Sequence, residues 1–175
     1  VALDEAKFEL DAGKTAVALE LKSADSRDAA RAAALAAEKS GAAVLITDRR
    51  AAASDTLATS YITSCAVRKF DYDIVLCGRQ AIDGDTAQVG PGVAVRLGLP
   101  VVSYAVKIRE VNLEQRYVVI ERKTENRNEV IKTSLPTAMT CEKDIAEIPF
   151  ASLPDLVYSL RYEPEVWTAE SPVMF

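Results

Sequence analysis

The sequence predicts an α/β fold: a mostly parallel sheet with helices on both faces, joined by an antiparallel meander and an irregular C-terminal arm. Three observations predict it. Mainly apolar runs at 15–21, 42–47 and 73–77 read as buried strands, and helix-patterned stretches separate them. Beyond Pro100 the pattern switches to strand-like alternation broken by asparagine-bearing turns. Past Pro149 no period is legible.

Residues 1–13 carry no clear pattern. After the first strand, Ser23-Ala24-Asp25-Ser26 offers N-cap chemistry for an alanine-rich helix that runs to about Lys39 and stops at Gly41. The second strand leads through a polar stretch, Asp48 to Ser54, into a helix from Asp55 to about Lys69. On that helix Leu57, Tyr61, Ile62, Cys65 and Ala66 share one face at helical spacing. The third strand, 73–77, runs into a long glycine-bearing loop and a short helix, 93–97, closed by Gly98. The meander comprises 101–108, 117–122 and 129–133, with turn chemistry at 112–115 and 126–128. The mixed charge run 121–129 reads as a solvated hairpin tip. Trp167, the chain's one tryptophan, is expected to pack either on the protein's own body or on a partner.

Composition narrows the function. A length of 175 residues suits one core, and a net charge of −5 spread along the chain argues against nucleic acid as a partner. No apolar run approaches membrane-spanning length, and the mixed, acidic start is unlike a signal peptide. Three widely spaced cysteines without a CxxC pair suit a reducing, cytoplasmic compartment. The complete absence of histidine removes histidine-dependent triads and histidine metal sites, and no spacing points to another metal or to a catalytic acid, base or nucleophile. The chain reads as a binder more than a stand-alone catalyst.

The loop Gly78–Gly92 carries four of the seven glycines and lies just past a strand end, where open α/β sheets take ligands. Pro91 suits the first turn of the next helix, whose free N–H groups and dipole favour an anion. The loop therefore reads as a nucleotide cradle, or as a structural connection of unusual length. Asp83 and Asp85 suit ribose hydroxyls or loop N–H groups better than a phosphate. Thr86, Gln88 and the backbone after them suit a phosphate or a flavin edge. Arg79 either neutralises local charge or is solvated. Gly13-Lys14-Thr15 mimics the end of a phosphate-binding loop, but Phe8 stands where that pattern needs glycine.

Two segments, 55–61 (DTLATSY) and 74–91 (IVLCGRQAIDGDTAQVGP), closely resemble the β subunit of electron-transfer flavoprotein, with a weaker similarity from about Thr15 to about Leu160. The resemblance implies a Rossmann-like, adenine-nucleotide-binding fold that pairs with a larger α subunit and serves a dehydrogenase partner as an electron carrier. It implies a nucleotide strip of Gly78, Arg79, Gln80, Ala81, Ile82, Asp83, Gly84, Asp85, Thr86, Ala87, Gln88 and Val89, with Leu21 near the adenine. The cofactor implied is FAD, with AMP as the alternative. The 83–86 variation looks like the FAD-bearing, electron-bifurcating branch. Residues 150–155 resemble the loop that anchors the dehydrogenase, with Leu153 as the anchor; equally, Leu153 packs on the body. The expected domains are a nucleotide-binding α/β domain, 1–150, and a recognition loop and arm, 151–175. Residues 1–13 do not match the family's first strand, and 157–162 stands where a lysine-rich stretch is usual. A nucleotide-binding structural or sensing module without redox function is the other reading.

Overall fold

The computed structural model describes residues 16–21, 41–81, 84–146, 152–161 and 165–171. In chain order the elements are β1 (Ala16–Leu21), β2 (Gly41–Ile46), α1 (Thr56–Val67), β3 (Ile74–Gly78), α2 (Val89–Leu97) and β4 (Val101–Asn112). There follow β5 (Tyr117–Lys123), β6 (Asn128–Ser134), β7 (Thr137–Cys141), α3 (Leu153–Arg161) and β8 (Glu165–Trp167). The expected alanine-rich helix and the Gly13-Lys14-Thr15 segment lie outside the described residues. The chain divides into two compact units. One comprises Val1–Ser54, Cys65–Val67 and Ile148–Phe175; the other comprises Asp55–Ser64 and Arg68–Glu147.

The first unit holds a parallel three-stranded sheet in the order β1-β2-β8. Leu21 at the end of β1 pairs with Ile46, and Ile46 pairs with Trp167. Val44, Ile46 and Trp167 are buried, and the indole Nε1 donates to Glu165 Oε1 at 2.7 Å. The lone tryptophan therefore packs on its own chain. Just past β2, Thr47 donates its N–H to the Trp167 carbonyl at 2.9 Å. Asp48 then caps a 3₁₀ turn, Arg49–Ala51, by accepting from Arg50 N–H at 2.8 Å. The same carboxylate accepts from the Ala169 N–H at 3.0 Å, tying the turns after β2 and β8 together. The C-terminal stretch is not irregular, as expected, but supplies α3 and β8. Pro154 is tolerated because it falls in the first turn of α3, where its missing N–H costs nothing. β8 is fixed by pairing with β2, a tertiary contact with no local signal.

The second unit holds a five-stranded sheet in the order β3-β7-β4-β5-β6. β7 is parallel to both neighbours, and the β4-β5-β6 meander is antiparallel. Four of the six described pairings are thus parallel, so the fold is mixed α/β with antiparallel strands added. The core gathers Val102, Ala105, Val118, Ile120, Leu135 and Met139 from β4, β5, β7 and the turn before β7. Ile120 and Met139 are fully buried, each stabilising the fold by roughly 1.5–3 kcal/mol. The charged stretch 121–129 forms the β5–β6 hairpin, where Arg109 and Asn128 hold the Glu121 carboxylate at 2.7 and 2.8 Å.

Asp55 stands just before α1, and its carboxylate accepts from the Ala58 N–H at 2.8 Å. The expected apolar face of α1 is corrected in part: Ala66 is buried as expected, but Leu57 and Tyr61 are exposed, whereas Ser60 and Ser64 are buried. The two serines satisfy their hydroxyls within the helix, on the carbonyls of Leu57 and Tyr61. Small hydroxyl residues thus share the buried part of the helix with Ala66 and Val67, while the larger Leu57 and Tyr61 stay exposed. α2 begins at Val89, four residues earlier than the sequence suggested, and ends at Gly98 (φ 70°), with Leu99 N–H on Ala94 O at 2.9 Å.

Candidate functional site

The carboxyl ends of β3 and β7 lie side by side, Cys77 opposite Thr140 and Gly78 opposite Cys141. α2 packs across them. A Cβ on Gly90 would come within 2.6 Å of Thr140 Cγ2 and 3.1 Å of Cys77 Cβ, so glycine is what lets the first turn of α2 lie on the strand ends. Gly92 plays the same part against α1, where a Cβ would meet Ser60 Cβ at 2.9 Å. Arg96 fastens the two helices, donating to Ser60 Oγ at 3.2 Å and Leu57 O at 3.3 Å and stacking on Tyr61.

The connecting loop leaves β3 at Gly78. Asp85 N–H closes a turn on Ala81 O at 3.0 Å, and Gln80 Nε2 donates to Asp85 Oδ1. Asp85 (φ 47°) and Ala87 (φ 54°) take left-handed conformations, so the sharp bends fall on these residues. Gln88 precedes the helix without a side-chain cap; its Oε1 instead accepts from Thr56 Oγ1 at 3.2 Å. The first-turn N–H groups of Val89 and Gly90 have no partner within the helix, which is what an anion requires. A Cβ on Gly78 or Gly84 would meet nothing within 4 Å, so both glycines border open space.

Arg79 stands beside this turn. Its Nη1 donates to Glu142 at 3.1 and 3.3 Å, and its guanidinium lies 5.3 Å above the Tyr104 ring. Tyr104 itself has φ 63°, an outlier for an aromatic residue, and its N–H donates to Thr140 Oγ1 at 3.0 Å. The β4–β7 register shifts between Val102 and Ala105, which swings Tyr104 over the strand ends. Desolvation raises the pKa of Cys77, and desolvation with the neighbouring Cys77 pushes Cys141 up to about 11. Neither thiol is a nucleophile at neutral pH.

Of the residues expected in the site, Gly78, Arg79, Gln80, Ala81, Gly84, Asp85, Thr86, Ala87, Gln88 and Val89 lie on this one segment of the second unit. Ile82 and Asp83 lie outside the described residues. Leu21 ends β1 in the first unit, and Leu153 opens α3 there, 74% exposed. Sequence reasoning missed Glu142, Tyr104 and Thr140. The one available signal was the run 137–141 after Leu135-Pro136, which forms β7, carries Thr140 and leads into Glu142. Just past β2, the Thr47 hydroxyl is buried without a hydrogen-bond partner among the described residues.

The electron transfer flavoprotein domain matches residues 2–156 of the chain. The chain belongs to the electron transfer flavoprotein family. Protein FixA of Azorhizobium caulinodans is 45% identical over 133 residues, covering 73% of this chain and 47% of that protein. The electron transfer flavoprotein subunit beta of Clostridium acetobutylicum is 39% identical over 128 residues, covering 73% and 48%. The same subunit of Thermoanaerobacterium thermosaccharolyticum is 48% identical over 103 residues, covering 59% and 38%. The chain is thus β-like within the electron transfer flavoprotein family, and it spans about half the length of the relatives it matches. Among the described residues no helix is long and apolar enough to cross a membrane.

Proposed function

We propose that this chain holds FAD through the segment 78–89, as the β-type subunit of an electron-carrying αβ heterodimer. AMP is the alternative ligand. One observation carries the reading: an open loop at the carboxyl end of β3, bordered by Gly78 and Gly84, delivers its backbone into the first turn of α2. Those residues fit the phosphates of an adenine nucleotide by backbone donors and helix dipole, with Thr86 able to donate beside them. FAD when bound supplies the redox chemistry; the chain's own residues bind it, orient it and exclude competing positions. The 83–86 variation favours FAD and the bifurcating-type branch. Leu153 at the start of α3 suits insertion into a dehydrogenase partner, and three free thiols suit a cytoplasmic setting. The domain reading is retained with this proposal: a nucleotide-binding body, 1–150, and a recognition arm, 151–175.

The test is direct. The purified chain is scanned for a flavin absorption band, denatured to release ligand for mass analysis, and titrated with FAD and AMP. Bound flavin supports the electron carrier; AMP alone supports the nucleotide module without redox function. Protein that is empty and ignores both nucleotides overturns the proposal. Gly84→Val tests the loop itself. Because a side chain there meets nothing in the protein, the melting temperature should hold while nucleotide retention is lost. Unchanged retention would make the loop structural.

A further inference from the structure

We propose that Arg79 anchors an oxyanion site on the second unit, built to take a singly charged group with two paired oxygens: a carboxylate or a phosphodiester. Gly78, Cys141 and Ala105 lie in one row across the adjacent parallel strands β3, β7 and β4. Arg79 and Glu142 are the residues that follow this row on β3 and β7, and Tyr104 stands just before Ala105, inside the register shift of β4. Three strands thus deliver a guanidinium, a carboxylate and an aromatic ring to one place. It is the carboxyl end of β3 and β7, where open α/β sheets take ligands. The site stands whether or not the chain carries a nucleotide.

All of these contacts hold one guanidinium still. The Glu142 carboxylate, 11% exposed, takes Arg79 Nη1 at 3.1 and 3.3 Å. The Tyr104 ring lies against the same group, its centroid 5.3 Å away. Tyr104 reaches that position at φ 63°, a conformation that an aromatic residue holds only at a cost. A guanidinium that served only to neutralise Glu142 would need neither the ring nor the strained backbone. Its Nε and Nη2 have no hydrogen-bond partner among the described residues, and the side chain is 46% exposed. Those two parallel donors form the edge that grips two oxygens of a carboxylate or a phosphate. Arg79 and Glu142 together carry no net charge, so one negative charge suits the site. A phosphomonoester carries nearly two at neutral pH and sets the surplus beside Glu142. Tyr104 and Glu142 act through Arg79, as positioning residues.

The test follows the arginine Nε–H signals of the 175-residue chain by NMR during titration with acetate, dimethyl phosphate and inorganic phosphate. R79K identifies the Arg79 signal, and the exposed Arg161 of the same chain is the reference. Holding one long side chain in place beforehand is worth about threefold to tenfold in affinity, so acetate or dimethyl phosphate should bind at Arg79 that much more tightly than at Arg161. Acetate alone assigns the site to carboxylates, dimethyl phosphate alone to phosphodiesters, and both to the shared oxyanion. Inorganic phosphate should bind more weakly than dimethyl phosphate. Y104G separates positioning from folding, because glycine takes this φ without strain. Its urea midpoint should hold or rise, while affinity at Arg79 falls to that at Arg161. Neither probe binding more tightly at Arg79 than at Arg161 overturns the inference, whatever the variants do. A folded Y104G that binds like the wild type overturns the part given to the ring, and inorganic phosphate bound as tightly as dimethyl phosphate overturns the preference for a single charge.

Discussion

Gly90 sets the distance between helix and sheet at this site. Thr140 is the residue it leans on: its methyl group faces the glycine and its hydroxyl takes the Tyr104 N–H at 3.0 Å. Gly90→Ala would put a methyl carbon 2.6 Å from Thr140 Cγ2, with Cys77 Cβ at 3.1 Å, and neither neighbour is a flexible chain end. The expected outcome is a loss of about 1–3 kcal/mol, read as a lower denaturation midpoint in urea. An unchanged midpoint would mean that α2 is free to lift. The sequence showed four glycines in one loop and could not separate their jobs. Gly78 and Gly84 border open space, Gly90 and Gly92 make room for strand and helix, and the left-handed bends fall on Asp85 and Ala87. Glycine is identified by composition, but which neighbour its missing side chain admits depends on contacts far along the chain.

At the scale of elements, β1 to β6 were legible because each carries apolar or alternating runs between turn residues. β7 was not, although it is the inner strand that joins the parallel and antiparallel parts of its sheet. Thr137 and Thr140 make it read as half polar, yet both are buried. Their hydroxyls find Pro100 O at 3.1 Å and Tyr104 N–H at 3.0 Å, partners that only the fold supplies. The turn after β2 has a comparable tertiary dependence, and it gives a pH signature. The Arg50 side chain, the Arg50 N–H and the Ala169 N–H hold the Asp48 carboxyl well below its ordinary range. A carboxylate depressed in the folded state contributes stability above its unfolded pKa of about 4, and that contribution is lost as pH falls towards the folded value. The urea midpoint of the wild-type chain should therefore hold down to about pH 4 and then decline. Asp48→Asn should start lower at neutral pH and lose part of that acid slope; an identical slope would assign the acid sensitivity to other carboxylates.

At the scale of the whole molecule, the sequence-level picture of α/β units followed by a meander is right in kind and incomplete in connection. The described strands form two sheets, one in each unit, because β8 closes on β2 while β7 closes on β3 and β4. Both closures involve strands without a strong local pattern, so sequence periodicity could name most elements and still not say which sheet each would join. β8 is the decisive case in the first unit, since three residues hold it and Trp167, 5% exposed, is the only buried side chain among them. Trp167→Ala removes that anchor together with the indole hydrogen bond to Glu165. A buried tryptophan truncated to alanine costs about 3–5 kcal/mol, enough to open a small sheet while larger cores persist. Hydrogen exchange should show faster exchange at Val44, Leu45 and Ile46 in the variant, with β4 and β5 amides around Val118 and Ile120 still protected. Matching acceleration in β4 and β5 would mean that the two units open as one cooperative body, and no change at β2 would mean that β8 contributes nothing to holding it.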